Sequence, residues 1–279
     1  MNGKVIVATG ATSGIGAVAV ETLAKQGARI VFIARDEARA KATLDRLYTL
    51  APEQAHRAHF ADLALIRETK RIGEEIAAIE PRIDVLINNA GALFSDRRIT
   101  AEGLEATFAL NHMSYFSLTK TLLPRLKTSA PARIVSTASR AHQQGRLKID
   151  DLQSRLGYSG YSAYGGSKLA NILFTRELAR RLAGTDVTAN CLHPGVVATR
   201  FAENAGGWFG RLIGLARPFM ISPEAGADTI IYLASSPEVA KVSGGYFAKR
   251  KPASLSAAAR DDALAAKLWD ASEALYAAH

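Results

Sequence analysis

Tyr164 and Lys168 are the residues of this chain whose types and spacing best suit proton-transfer chemistry. A separation of four residues puts two side chains on one face of a helix, one turn apart. The ammonium group of Lys168 can then stabilise a phenolate and lower the pKa of Tyr164 from its ordinary value of about 10. A phenol tuned in this way exchanges a proton with a substrate oxygen, so the pair predicts general acid–base catalysis.

A hydroxyl group that binds the substrate oxygen is expected near the end of the apolar run 132–138. Three side chains there are candidates, namely Ser136, Thr137 and Ser139. Ser139 lies furthest along, at the carboxyl end of the predicted strand, which is where ligands meet a parallel sheet. We therefore predict that Ser139 hydrogen-bonds the substrate carbonyl and stabilises the negative charge that develops on its oxygen.

The elements that must position these residues alternate along the chain. Short apolar runs, continuous as in strands covered on both faces, alternate with amphipathic stretches. This pattern predicts one α/β domain over residues 1–279, with a doubly wound parallel sheet of about seven strands and helices on both faces. The predicted strands are 4–9, 29–34, 56–60, 83–88, 132–138, 186–192 and 245–247. The predicted helices are 14–26, 36–48, 63–80, 100–127, 161–183, 222–236 and 257–277.

A glycine-rich turn joins the first predicted strand to the first predicted helix. This arrangement binds the pyrophosphate of a dinucleotide, because glycines admit the ligand to the backbone and the helix N-terminus supplies N–H groups. The alternative is a tight turn that only joins two packed elements. The predicted phosphate contacts are Gly10, Thr12, Ser13, Gly14, Ile15 and Gly16.

Four motifs, in this order, resemble the signatures of the short-chain dehydrogenase/reductase superfamily. They are T-G-x-x-x-G-I-G at Thr9–Gly16, N-N-A-G at Asn88–Gly91, Y-x-x-x-K at Tyr164–Lys168 and P-G at Pro194–Gly195. Other segments resemble its retinol-dehydrogenase-like and protochlorophyllide-reductase-like branch. These segments are Asn111–Phe116, Arg133–Ser139, Gly244–Phe247 and Leu268–Trp269.

The resemblance implies an oxidoreductase on a Rossmann-type fold, with the catalytic residues Asn111, Ser139, Tyr164 and Lys168. Asn111 is expected in a helix distortion whose carbonyl holds a water linked to Lys168, which also binds the nicotinamide ribose. Asp62 and Leu63 are expected against the adenine, although a helix N-cap explains Asp62 nearly as well. The other implied cofactor contacts are Asn89, Ala90, Gly91, Tyr164, Lys168, Pro194, Gly195, Val197 and Thr199.

The choice of cofactor is expected to depend on the end of the second strand. An acidic residue there accepts a hydrogen bond from the ribose 2′-hydroxyl of NAD and repels a phosphate. This chain has Arg35, whose guanidinium can pair with a 2′-phosphate, and by resemblance an arginine in this position marks a preference for NADP. Asp36 could be the acidic NAD determinant, but a cap on the following helix explains it better. We therefore predict NADP as the cofactor.

Composition excludes several other classes of function. The 279 residues carry a net charge of +9, but the arginines are scattered and no nucleic-acid motif is present, so no nucleic-acid partner is predicted. The single cysteine, Cys191, excludes a disulfide framework and a cysteine metal cluster, and no metal is predicted. With neither a signal peptide nor a membrane-spanning stretch expected, we predict a soluble, cytoplasmic protein, and a homo-oligomer stays open.

Apolar and aromatic residues dominate positions 201–221, which by resemblance belong to a substrate lid at about 196–222. The alternative is a helix pair that packs its apolar face on the core. Taken together, the residues predict an NADP(H)-dependent oxidoreductase that interconverts a ketone or aldehyde and an alcohol on an apolar small molecule. Two alternatives are an NADP-binding regulator or sensor on the same fold and a reductase of activated carbon–carbon double bonds.

Overall fold

The computed structural model describes residues 1–195 and 221–279. The strands in this part of the chain form one sheet with the spatial order β3-β2-β1-β4-β5-β6-β7-β8. Strands β1 to β7 run parallel, and the two-residue β8 is antiparallel to β7. The strands are β1 (Val5–Thr9), β2 (Arg29–Ala34), β3 (Arg57–Phe60), β4 (Val85–Asn88), β5 (Ala132–Thr137), β6 (Val187–His193), β7 (Tyr246–Ala248) and β8 (Lys251–Pro252).

Helices cover both faces of this sheet, which confirms the predicted fold class. Within residues 1–195 and 221–279, the α-helices are α1 (Gly14–Lys25), α2 (Glu37–Leu50), α3 (Ile66–Ile79), α4 (Ala106–Phe108), α5 (Ser114–Thr128), α6 (Gly160–Arg181), α7 (Pro223–Ser235) and α8 (Asp262–Ala278). A π-helical turn, Ala109–Met113, joins α4 to α5. None of the helices in the described ranges is long and apolar enough to cross a membrane.

Two hydrophobic cores lie on the two faces of the sheet. In β1, Val5 and Val7 belong to one core, whereas Ile6 and Ala8 belong to the other. Successive side chains of a strand point to opposite faces, so a strand covered on both sides is apolar at nearly every position. The first core is covered by α3, α5, α6 and α8, and the second by α1, α2 and α7.

Three predicted helices begin later than expected. The helix predicted over 257–277 starts at α8, where the Asp261 carboxylate caps it by accepting from the Leu264 N–H at 2.9 Å. The helix predicted over 100–127 starts at α4, because the Glu105 carboxylate accepts hydrogen bonds from the backbone N–H groups of Thr107 (2.7 Å) and Phe108 (2.8 Å). The helix predicted over 63–80 starts at α3. Its first N–H groups, at Ile66 and Arg67, donate to the Glu102 carboxylate at 2.6 and 3.0 Å. A residue 36 positions further along the chain therefore caps α3.

We expect Glu102→Ala to lower the free energy of unfolding by about 1–2 kcal/mol, because two N–H groups of α3 lose a charged acceptor. Urea unfolding followed by circular dichroism measures this change. Glu102→Gln keeps one acceptor oxygen and serves as the matched control, with an expected loss of about half that size. Equal stability of wild type and Glu102→Ala would contradict the capping role.

Candidate active site

Tyr164 and Lys168 lie on α6 and approach the carboxyl end of β5. Lys168 is 2% exposed, and its Nζ donates a hydrogen bond of 3.0 Å to the carbonyl oxygen of Thr137, the last residue of β5. The same Nζ lies 5.5 Å from the ring centroid of Tyr164 and 5.7 Å from that of the fully buried Tyr115. The predicted helix thus holds the phenol and the amine together at the edge of the sheet.

Ser139 is the hydroxyl residue that the fold brings to Tyr164. It lies two residues after the end of β5, its Oγ accepts a hydrogen bond of 3.2 Å from the Ala141 N–H, and it is hydrogen-bonded to the Tyr164 phenol. Ser136 is fully buried within the sheet, and Thr137 donates through Oγ1 to Asn89 Oδ1 at 3.1 Å. Ser139 is therefore the candidate hydroxyl that the fold pairs with Tyr164.

Glycines allow the turn that carries Ser139 to pack against α6. A Cβ atom on Gly165 would lie 2.9 Å from the Ala141 carbonyl oxygen, and one on Gly145 would overlap the carbonyl of Gly165. Contacts this short do not occur with real side chains, so only glycine fits at these positions. The glycines after Tyr164 therefore set the close approach between the two halves of the site.

Burial controls the protonation of the pair. It raises the pKa of Tyr164 to about 12, opposed by the hydrogen bond with Ser139, and it lowers the pKa of Lys168 to about 7. The predicted lowering of the Tyr164 pKa by Lys168 is therefore wrong for this structure, because desolvation disfavours the charged forms of both groups. At neutral pH Tyr164 keeps its proton, which is the form that can protonate a carbonyl oxygen.

Asn111 lies in the π-helical turn, fully buried, where a helix distortion is expected from the family pattern. Its Oδ1 accepts from the Ala92 N–H at 2.8 Å, and its Nδ2 donates to the Ala92 carbonyl at 2.9 Å and to Ser167 Oγ at 3.0 Å. A Cβ atom on Gly91 would lie 3.0 Å from Asn111 Oδ1 and 3.5 Å from Lys168 Nζ. Asn111 thus ties the segment after β4 to α6, and the water-binding role of its carbonyl stays a prediction.

The glycine-rich turn between β1 and α1 fits a phosphate group. Gly10 and Gly14 have φ angles of +66° and +54°, which favour glycine, and a Cβ on Gly16 would overlap the carbonyl of Gly10. Ser13 occupies the N-cap of α1 without a side-chain bond to the first turn, and no acidic residue lies in that turn. The N–H groups of this turn, which have no acceptor within the helix, can bind the pyrophosphate of a dinucleotide.

The Asn89 side chain forms hydrogen bonds within the protein. Its Nδ2 donates to the carbonyl oxygens of Thr9 (3.4 Å) and Gly10 (3.3 Å), while its Oδ1 accepts from Thr137. It therefore fastens the glycine-rich turn to the end of β5. A contact between Asn89 and a cofactor, as predicted, is left to its backbone carbonyl, and the same holds for Ala90, because both N–H groups donate to Thr9 Oγ1.

The two acidic residues with alternative interpretations have different roles. Asp36 caps α2, with its carboxylate accepting from the Arg39 N–H at 2.8 Å, as the cap interpretation predicted. Asp62 accepts from the Ala64 N–H at 3.0 Å in the turn before α3, but it does not cap that helix. The helix-cap alternative for Asp62 is therefore wrong, since Glu102 provides that cap.

Arg35 is exposed at the end of β2, and no carboxylate in the described ranges forms an ion pair with it.

Gly195 follows β6 with a φ angle of +98°, a conformation that glycine adopts without strain. Val197, Thr199 and the predicted lid at 196–222, except for its last two residues, lie outside the described residues.

Two polar residues that were not singled out from the sequence belong to the described part of the site. Asn171 Nδ2 donates to the Thr137 carbonyl at 3.3 Å, the same oxygen that binds Lys168. Its position three residues after Lys168 places it on the same helix face and could have identified it. Thr9 Oγ1 accepts from the N–H groups of Asn89 (2.9 Å) and Ala90 (3.0 Å), a contact across 80 residues that no local spacing reveals.

The sequence model of the family described as "short chain dehydrogenase" matches residues 4–208, which include the phenol, the amine, the hydroxyl and the glycine-rich turn. The chain belongs to the short-chain dehydrogenase family. It is also 41% identical to retinol dehydrogenase 14 of Homo sapiens over 296 residues, covering 99% of this chain and 87% of that protein. This similarity places it in the retinol-dehydrogenase-like branch of the family.

Two further comparisons agree with an oxidoreductase function. A Streptomyces sp. (strain C5) protein provisionally named a daunorubicin C-13 ketoreductase, DnrU, is 41% identical over 275 residues, covering 98% of this chain and 92% of its own. The solved NADP active-site complex of Pseudomonas aeruginosa RhlG is 29% identical, with a TM-score of 0.70 and coverage of 88% of this chain and 94% of that one. The protein is therefore an oxidoreductase that uses a nicotinamide cofactor and acts on alcohol or carbonyl groups.

Proposed function

We propose that this protein is an NADP(H)-dependent dehydrogenase/reductase that interconverts a ketone or aldehyde and the corresponding alcohol on an apolar small molecule. The observation that carries the proposal is the convergence of Tyr164, Ser139 and Lys168 at the end of β5. The turn suited to a pyrophosphate lies in the same network, because Asn89 joins it to Thr137. A cofactor in that turn and a substrate at Ser139 would share one edge of the sheet.

Each side chain of the site has a separate role in the reaction. A bound nicotinamide cofactor supplies the hydride in carbonyl reduction. Ser139 donates a hydrogen bond to the carbonyl oxygen and stabilises the negative charge that develops there. Tyr164, protonated at neutral pH, delivers its proton to that oxygen, and it takes the proton back when an alcohol is oxidised. Lys168, with a pKa of about 7, can give a proton back to Tyr164 after Tyr164 has protonated the substrate oxygen.

The test is NADPH oxidation against a panel of ketones, aldehydes and quinones, with aliphatic, aromatic and polyhydroxylated members. The apolar composition of residues 201–221 supports a preference for bulky apolar carbonyls, since each buried methylene contributes about 0.8 kcal/mol. Product analysis with unsaturated ketones distinguishes carbonyl reduction from reduction of the double bond. NADPH binding without turnover of any compound would instead favour a regulator or sensor.

NADP preference is proposed from Arg35, which is exposed at the end of β2, while the neighbouring Asp36 is committed to capping α2. We expect wild type to prefer NADPH over NADH in kcat/KM. Arg35→Ala should reduce this preference by about ten- to a hundredfold, which corresponds to one charge-assisted contact with the 2′-phosphate. Kinetics with both cofactors measure the ratio directly.

Arg57→Ala is the matched control for this experiment. Arg57 is also exposed, but it begins β3 and therefore lies at the amino edge of the sheet, away from the end of β2. The control removes the same charge and should leave the cofactor ratio unchanged. If Arg35→Ala discriminates between the two cofactors as well as wild type does, the 2′-phosphate is bound by other residues.

A further inference from the structure

His142 lies on the turn that carries Ser139 and is fully buried. Its ring meets the Tyr246 ring of β7 edge to face, with 5.1 Å between centroids. The turn itself, Arg140–Gln143, is a single turn of 3-10 helix with Ser139 at its N-cap. A buried imidazole therefore lies between the end of β5, where the site is, and Tyr246 of β7, the second strand along from β5 in the sheet.

Both ring nitrogens of His142 bind backbone groups of defined polarity. Nδ1 lies 2.7 Å from the Ser139 carbonyl oxygen, which can only accept, so Nδ1 carries the hydrogen. Nε2 lies 3.3 Å from the backbone nitrogen of Ser256, which can only donate, so Nε2 has the lone pair. Both contacts require the same neutral tautomer, and burial favours it by lowering the pKa of His142.

The Ser139 backbone is held from several sides. Its carbonyl accepts from the His142 backbone N–H at 3.1 Å as well as from the His142 ring, and its Oγ accepts from the Ala141 N–H. With the backbone held in this way, one side-chain torsion decides where Oγ points. A small shift of the carbonyl would move Oγ away from Tyr164 and from a substrate oxygen.

We propose that His142 is a positioning residue for the carbonyl chemistry. Its Nδ1–H fixes the peptide of Ser139 so that Oγ points at Tyr164, and its Nε2 anchors this arrangement to the C-terminal segment through Ser256. The inference rests on the proposed function. His142 itself does not contact the reacting atoms in this scheme.

Three substitutions separate the two hydrogen bonds of the ring. His142→Asn places an amide N–H where Nδ1 lies and keeps the bond to Ser139. His142→Gln places an amide oxygen where Nε2 lies and keeps the bond to Ser256. His142→Phe keeps the ring against Tyr246 and loses both bonds. We expect His142→Asn to retain kcat within about threefold, whereas His142→Gln and His142→Phe lose about tenfold or more, the effect of one hydrogen bond. The Kd for NADPH should stay at the wild-type value in all three.

A double-mutant cycle with Ser139→Ala isolates positioning from general destabilisation. In the Ser139→Ala background there is no Oγ to position, so His142→Gln and His142→Phe should cost no further kcat. Equal losses in both backgrounds, or a kcat for His142→Asn as low as that of His142→Gln, would overturn the proposal. If the phenylalanine variant does not fold, the asparagine and glutamine pair decides the question alone.

The turnover of wild type distinguishes a failure of this proposal from a failure of the proposed function. Absence of turnover with every carbonyl would overturn the proposed function, and the role of His142 would fall with it. A different result would overturn the positioning role only. In that case wild type turns over a carbonyl, Ser139→Ala loses kcat, and the His142 substitutions lower kcat equally with and without Ser139→Ala.

Discussion

Tyr164→Phe is expected to lower kcat for carbonyl reduction at least about a hundredfold, the lower range for removal of a general acid or base. The phenyl ring fills the same space on α6, so the fold and the turn after β1 should be unaffected. The Kd for NADPH should therefore stay close to that of wild type. Steady-state kinetics on the best substrate of the panel, together with fluorescence titration of NADPH, measure both quantities.

Tyr161→Phe is the matched control for this substitution. Tyr161 lies on the same helix, three residues earlier, and is 41% exposed. It loses the same hydroxyl group without removing the proton donor, so kcat should stay within about twofold of wild type. Near-normal turnover by Tyr164→Phe, with the control also active, would remove Tyr164 from the mechanism.

Lys168→Met is expected to inactivate the enzyme and at the same time to stabilise the fold. A buried lysine whose pKa falls from 10.5 to about 7 destabilises the folded state whenever it is charged. Methionine has a similar length and no charge, and the Thr137 carbonyl keeps its hydrogen bond from Asn171. At about 1.4 kcal/mol per pKa unit, less the lost Lys168 bond, we expect a gain of about 2–4 kcal/mol at pH 7.

The pH dependence of this gain follows from proton binding. Between about pH 7 and 10.5 the unfolded chain holds the lysine proton and the folded chain does not, so wild-type stability rises with pH. Below about pH 7 both states are protonated, and the full penalty remains. The advantage of Lys168→Met should therefore be constant in acid and shrink as the pH rises above 7. Urea unfolding at several pH values measures it.

Lys127→Met controls for the loss of a lysine at an exposed position near the end of α5. It should give neither inactivation nor a pH-dependent gain in stability. A Lys168→Met variant that is less stable than wild type at pH 7 would show that Lys168 contributes more to the fold than its burial costs. The expected result, in which Lys168→Met gains stability and loses activity, is a trade that is common at active sites.

The amino-acid sequence by itself determined the order and type of the elements and the identity of the motifs. Strands such as β2, predicted at 29–34, were placed correctly because a strand covered on both faces reads as a nearly continuous apolar run. The pairing of Tyr164 with Lys168 followed equally from helix periodicity, since a spacing of four residues has one geometric meaning in a helix. Local sequence patterns were therefore sufficient to predict the features that depend on local backbone geometry alone.

The tertiary structure decided what depends on burial and on contacts between distant segments. The pKa of Tyr164 rises because its site excludes water, and no spacing along the chain reports that exclusion. The cap of α3 comes from Glu102, and the side chain of Asn89 is taken up by Thr9, Gly10 and Thr137. Hydrogen bonds of this kind form between groups that only folding brings within 3.5 Å or less, so their partners are set by the packing of the sheet and helices.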